Sequence, residues 1–136
     1  MKISRKALYA IKAMIYVASA KDSHLCTISE IAEKEDIPRE YIAKILNELT
    51  QAGYLTSFRG VQGGYKLKKD KSNITFLDIV EAVQGRFSDI KSDDAKSKNK
   101  IYHGAAKEFW ADLLSLLKHK LAGMKLDRID YARFYG

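Results

Sequence analysis

The stretch Ser57–Leu67, SFRGVQGGYKL, most narrows what this chain can fold into. Three of the eight glycines, Gly60, Gly63 and Gly64, stand there between two short runs, YLTSF and YKLKK, in which apolar and polar residues alternate. Alternation with a period of two is the pattern of a half-buried strand, and two such runs joined by a glycine turn predict a β-hairpin. The segment before it has a helical pattern, so the hairpin follows a helix directly. Glycine in the turn lets the backbone lie close to another surface, since no side chain holds it away. Arg59 is then the one long cationic group at the tip.

What precedes the hairpin gives it a setting. Thr27-Ile28-Ser29-Glu30 is a capping box that opens a short helix, ISEIAEKE. Ile37-Pro38 ends that helix and starts another, because proline fits the first turn of a helix and not its interior. The second helix, REYIAKILNELTQA, gathers Ile42, Ile45, Leu46 and Leu49 on one face, and Gly53 stands where a helix stops in a left-handed residue. Two helices across a short turn make a helix-turn-helix. Ala32, Ile37, Ile42 and Ile45 fall where such a pair must cross closely. Followed by a hairpin, the unit is a winged helix.

The remaining segments complete the frame. Residues 4–19 predict a helix apolar on most sides and capped by Ser4, hence one buried in the core. Thr75 caps a further helix, FLDIVEAVQG, which Gly85 ends. Residues 86–104 are rich in lysine, aspartate and serine and read as a mobile loop. From residue 105 a long helix carries Phe109, Trp110, Leu113, Leu114, Leu117, Leu121 and Met124 at three- and four-residue spacing. That stripe is too wide for a lone surface helix, and a two-fold dimer would bury it. The expected fold class is mainly α with a small β-hairpin. A winged helix-turn-helix spans residues 1–85, an effector or sensor loop 86–104, and a dimerisation helix with its tail 105–136.

Charge points to the partner. The chain has 24 Lys and Arg against 17 Asp and Glu, a net charge of +7, which suits a polyanion such as nucleic acid. In a winged helix the second helix of the pair enters the major groove with its first turns. Arg39, Tyr41 and Lys44 lie there, opposite the apolar face. Lys44 would donate to guanine acceptor edges, and Tyr41 would meet a thymine methyl or a phosphate. Arg59, with Ser57 and Gly60 beside it, suits the narrow minor groove, whose negative potential attracts guanidinium groups. Ser4 and Lys6 sit at a helix N-terminus, which favours phosphate. Phe58 and Tyr65 would anchor the hairpin or stack on the DNA backbone. Double-stranded DNA and a second copy of the chain are the expected partners.

Other classes find little support. Paired carboxylates, a metal-ligand cluster and a nucleophile–base set are not discernible, and GVQGG lacks the lysine of a phosphate-binding loop, so neither an enzyme nor a metal site is expected. The lone Cys26 admits no internal disulfide and fits a reducing compartment. It reads either as a thiol sensor or as a small apolar core residue. No apolar run is long enough for a signal peptide or a membrane span, which points to the cytoplasm. The competing class is a winged helix used as a protein-interaction module.

Taken together, ISRKALYAIKAM, ISEIAEKEDIPREYIAKILNELTQAGYL, SFRGVQGGYKLKKD and ITFLDIVEAVQG resemble the BadM/Rrf-type family of bacterial winged-helix transcription regulators. The likeness covers nearly the whole chain. It implies a homodimer crossed through its long C-terminal helices and bound to a palindromic or pseudo-palindromic operator; the leading reading of the chain is a sequence-specific DNA-binding repressor. It also places Tyr41, Lys44, Arg59 and Gly60 at DNA-contacting positions. Cluster-holding members carry three cysteines in the loop before the long helix, and residues 86–104 contain none. An iron–sulfur cluster is therefore not expected, and Ser88, Ser92, Ser97 and His103 do not replace the missing thiolates. A protein co-regulator, as in the cysteine-metabolism regulators of the family, or a small effector near Tyr102, His103, Phe109 and Trp110 remain the alternatives for a signal.

Overall fold

A computed structural model of the chain describes residues 3–87 and 104–136. Helix α1 (Arg5–Ser19) is the element around which the rest assembles. Ala7, Ala10, Ala13, Met14, Val17 and Ala18 are buried along it, and it packs against α2 (Ile28–Glu35), α3 (Arg39–Gln51), α4 (Phe76–Gln84) and the second hairpin strand. Three alanines at three-residue spacing present little bulk, which lets neighbouring backbones approach. Ser4 caps α1 by accepting from the Ala7 N–H at 3.1 Å, while its own hydroxyl and N–H donate to Gln84 Oε1 at 3.0 and 3.2 Å. The cap thus also ties the first turn of α1 to the last turn of α4.

The helix-turn-helix forms as its punctuation predicts. Both arms of the Thr27–Glu30 capping box are made. The turn has one feature the linear pattern does not announce: Asp36 takes the left-handed conformation (φ 52°, ψ 54°), a role usually left to glycine or asparagine. The Ile37 N–H then donates to Ala32 O at 3.0 Å, Ile37 is buried, and Pro38 leads into α3. Ile42, Ile45, Leu46 and Leu49 are all buried against the core. Each such side chain contributes roughly 1.5–3 kcal/mol relative to exposure.

The hairpin pairs β1 (Leu55–Phe58) with β2 (Gly64–Leu67) antiparallel, in the register Leu55↔Leu67 to Phe58↔Gly64. It is shorter than the alternating pattern suggests. Lys68 still donates to Tyr54 O at 3.0 Å, but Asp70 then caps a 3₁₀ turn (Lys71–Asn73) that ends the ladder. A partner from far upstream widens it: Cys26 N donates to Tyr65 O at 2.9 Å, and Tyr65 N to Cys26 O at 2.8 Å. A Cβ on Gly64 would lie 2.8 Å from Cys26 O, so only glycine allows this approach.

Helix α5 (Ala105–Ala122) stops two residues before the Met124 end that the apolar spacing predicts. The chain turns at Gly123 and rejoins the winged helix: Phe76 N donates to Met124 O, and Leu126 N to Ile74 O, both at 2.8 Å. Leu121 and Leu126 are buried in the same core as Ile74 and Phe76. A 3₁₀ turn (Leu126–Arg128) and a short helix α6 (Tyr131–Tyr135) follow, and Tyr135 donates to Glu35 Oε1 at 2.8 Å. The residues read as a tail are therefore folded back over α1 and α2. The sensor loop expected at 86–104, with Ser88, Ser92, Ser97, Tyr102 and His103, falls almost wholly outside the described residues. Among the described residues no helix is long and apolar enough to cross a membrane.

Candidate nucleic-acid interface

Burying the Ile/Leu stripe of α3 turns its other side outward. Arg39, Glu40, Tyr41, Ala43, Lys44 and Asn47 are all exposed. Tyr41 does not stand free: its ring lies 5.6 Å from that of Tyr9 on α1, centroid to centroid and tilted by 44°. Such a contact limits where the phenol can point before any partner arrives. Among the described residues the cation–carboxylate contacts are Lys6–Glu48 and His24–Glu30, the second an ion pair only when the imidazole is protonated. Arg39, Lys44 and Arg59 thus present charges that no carboxylate of those residues neutralises.

Lys6 and Ser4 have intramolecular partners. Lys6 Nζ donates to Glu48 Oε1 at 2.7 Å, bracing α1 against α3, and the Ser4 hydroxyl is committed to its cap and to Gln84. Lys6 and Tyr9 reach α3, through Glu48 and Tyr41, whereas Ser4 is tied to α4 through Gln84. Arg59 and Gly60 lie away from this group, at the far end of the hairpin. Gly60 has φ 110°, which a side chain would oppose, and its carbonyl accepts from the Gly63 N–H at 3.0 Å to close the turn. Ser57, Phe58 and Arg59 are exposed along one edge, and Val61 stands fully in solvent at the tip.

The two aromatics of the hairpin divide their roles. Tyr65 is half-buried and held through its backbone by Cys26. Phe58 is exposed and carries the Lys66 ammonium 5.1 Å above its ring. Lys66 and, near Tyr54, Lys69 are additional cations on the hairpin side, and the sequence pattern did not single them out. Lys66 lies on β2 and Lys69 two residues past its end, so no strand period joins the two in the sequence.

A helix-turn-helix whose outward face and adjoining hairpin carry unpaired cations has close counterparts. Residues 3–130 match the family described as Rrf2, Iron-dependent Transcriptional regulator. The chain belongs to the Rrf2 family. The structure of CymR (YrzC), the global cysteine regulator of B. subtilis, aligns with it at a TM-score of 0.78 and 26% identity, over 100% of this chain and 99% of that one. Staphylococcus aureus CymR in its oxidized form gives 0.77 and 25%, over 100% and 98%. T. potens IscR gives 0.74 and 24%, over 93% of this chain and 84% of that chain, a likeness of fold. The Rrf2 family is one of transcription regulators, and the winged helix expected from the sequence is the fold these structures share.

Proposed function

We propose that this Rrf2-family chain is a sequence-specific DNA-binding regulator that acts as a homodimer on a palindromic operator and represses by covering it. The observation that carries this reading is the set of unpaired cations, Arg39 and Lys44 on the open face of α3 and Arg59 at the wing tip, on a helix-turn-helix-plus-hairpin frame. The α3 residues with Tyr41 would read the major groove. Arg59, with Ser57 and Gly60, would enter the minor groove, and Ser4 and Lys6 would approach the phosphates flanking α3.

The dimer is supported by α5. Phe109 is 67% exposed, Leu113 41% and Leu116 67%, whereas within its own chain the helix buries only Leu121. Large apolar side chains in such a row mark a surface that another chain covers. A second copy satisfies it and sets two α3 helices side by side for a two-fold operator.

The description of the family names iron, and its cluster chemistry requires thiolates. This chain has one cysteine, Cys26, with none of its surface exposed and its backbone bonded into the wing. That donor set does not fit a cysteine-held cluster, and the proposed regulator works without one.

The test is a binding titration on a DNA fragment that the protein selects, with Arg59→Ala and Lys44→Ala beside the wild type. Either substitution is expected to weaken binding by about 1–3 kcal/mol if it removes a base contact, roughly five- to 150-fold. Unchanged affinity for both variants, with their folds intact, would overturn the assignment of α3 and the wing as the reading surface.

A further inference from the structure

The loop between α1 and α2 brings three different donor types to one place. His24 and Cys26, two apart on an extended segment, and Glu30 in the first turn of α2 have ligand atoms that all lie within 4.8 Å of one another. His24 Nε2 is 3.0 and 3.1 Å from the two Glu30 oxygens. The sequence reading passed over H-x-C-x₃-E because these residues straddle a loop and a helix start. We propose that His24 Nε2, Cys26 Sγ and a Glu30 carboxylate oxygen form a zinc site, with water or a further ligand in the fourth position.

Zinc is the ion this set selects. Thiolate, imidazole and carboxylate together match a borderline-soft divalent ion and not magnesium or calcium, which take oxygen alone. Ligand distances of about 2.0–2.3 Å in a tetrahedral zinc site place neighbouring donors roughly 3.3–3.8 Å apart. His24 Nε2 and the Glu30 oxygens, 3.0–3.1 Å apart, need to separate slightly, and Cys26 Sγ already lies within 4.8 Å of both.

Glu30 is already oriented as a ligand would be. Its Oε1 accepts from the Thr27 N–H at 2.7 Å and its Oε2 from the Tyr16 hydroxyl at 2.8 Å. Such outer contacts fix a metal ligand in place. His24 is the exposed member and gives the ion its route to the buried sulfur. On binding, the Cys26 S–H bond breaks, its proton leaves to solvent and the sulfur keeps the electron pair for zinc; the proton that His24 Nε2 donates to Glu30 also leaves that nitrogen, so that the ring ends neutral with its one proton on Nδ1, and the freed Nε2 lone pair binds zinc.

The site reaches the wing through the backbone. Cys26 exchanges two hydrogen bonds with Tyr65 on β2, so an ion on Cys26 Sγ steadies the strand that leads to the turn bearing Arg59. Zinc loading is expected to slow amide exchange at Cys26 and Tyr65.

The experiment is a titration of the full-length, chelator-treated protein with zinc, and with cobalt as a coloured substitute, for wild type, His24→Gln and Cys26→Ala. The site predicts one ion per chain, a thiolate-to-cobalt charge-transfer band that Cys26→Ala abolishes, and zinc binding at least about tenfold weaker in His24→Gln. His24 is exposed, so that variant tests the site without disturbing the core. No retained zinc, or zinc binding unchanged in both variants, would overturn the site. Binding without slower exchange at Tyr65 would overturn its link to the wing. None of these readouts uses DNA, so they fail or succeed independently of the proposed operator binding.

Discussion

At Lys6 one ammonium has two candidate partners. The sequence pattern offers it to a phosphate near the N-terminus of α1, while the fold sets it 2.7 Å from Glu48 on α3. With 27% and 23% of the two side chains exposed, the pair still meets solvent and contributes about 1 kcal/mol or less to stability. Lys6→Met is therefore expected to change unfolding free energy by less than about 1 kcal/mol in a denaturant titration. If Lys6 also meets a phosphate, the same variant lowers the slope of log affinity against log salt by about one. Tyr131 supplies a different single-residue test. Burial, then the charge of Asp127, push its hydroxyl up to about 12, and it donates to Leu126 O at 2.9 Å. Its folded pKa lies above the ordinary value of 10, so its contribution is fully present below pH 10 and is lost as pH rises from 10 towards 12. Thermal stability is expected to fall over that window, and Tyr131→Phe to flatten part of the fall. A decline equally steep in the variant would contradict the assignment. At this scale the sequence showed which groups are charged but not what each one touches: Glu48 is 42 positions from Lys6, and no local pattern joins them.

Elements were more legible, and for a physical reason. Capping boxes, proline starts, glycine stops and apolar periodicity are written within a few residues of the structure they cause. α1 to α4 and the hairpin follow that local code. What escaped it depends on distant partners: the Cys26–Tyr65 bridge, the return of Met124 and Leu126 to Ile74 and Phe76, and α6 folded onto Glu35. Asp36 escaped it too, since a left-handed aspartate carries no glycine signal. For α5 the stripe was legible and its partner was not. Phe109 and Leu113 lie exposed on the helix, and Leu113→Asp is expected to convert a dimer into a monomer by sedimentation at micromolar concentration, with little loss of helix content. A wild-type protein that sediments as a monomer under the same conditions would contradict the proposed use of α5.

For the whole molecule, charge and symmetry combine. Residues 1–75 hold 13 Lys and Arg against 8 Asp and Glu (13 − 8 = +5), and residues 86–136 hold 11 against 7 (11 − 7 = +4), so basicity extends well beyond α3 and the wing. A general affinity for DNA that weakens with salt follows from such a distribution, and specificity must come from the few side chains at base edges. In a two-fold dimer those side chains appear twice, and half-sites about 34–36 Å apart, or a multiple of that, match two recognition helices on one face of the duplex. The most direct measurement is to mix the purified protein with fragmented DNA from its own genome at near-physiological salt and sequence what it retains. Recovery of a small set of palindromic sites, lost when Arg59→Ala replaces the wild type, is the expected result. Uniform retention of all fragments, equally sensitive to salt in wild type and variant, would contradict sequence-specific reading by α3 and the wing.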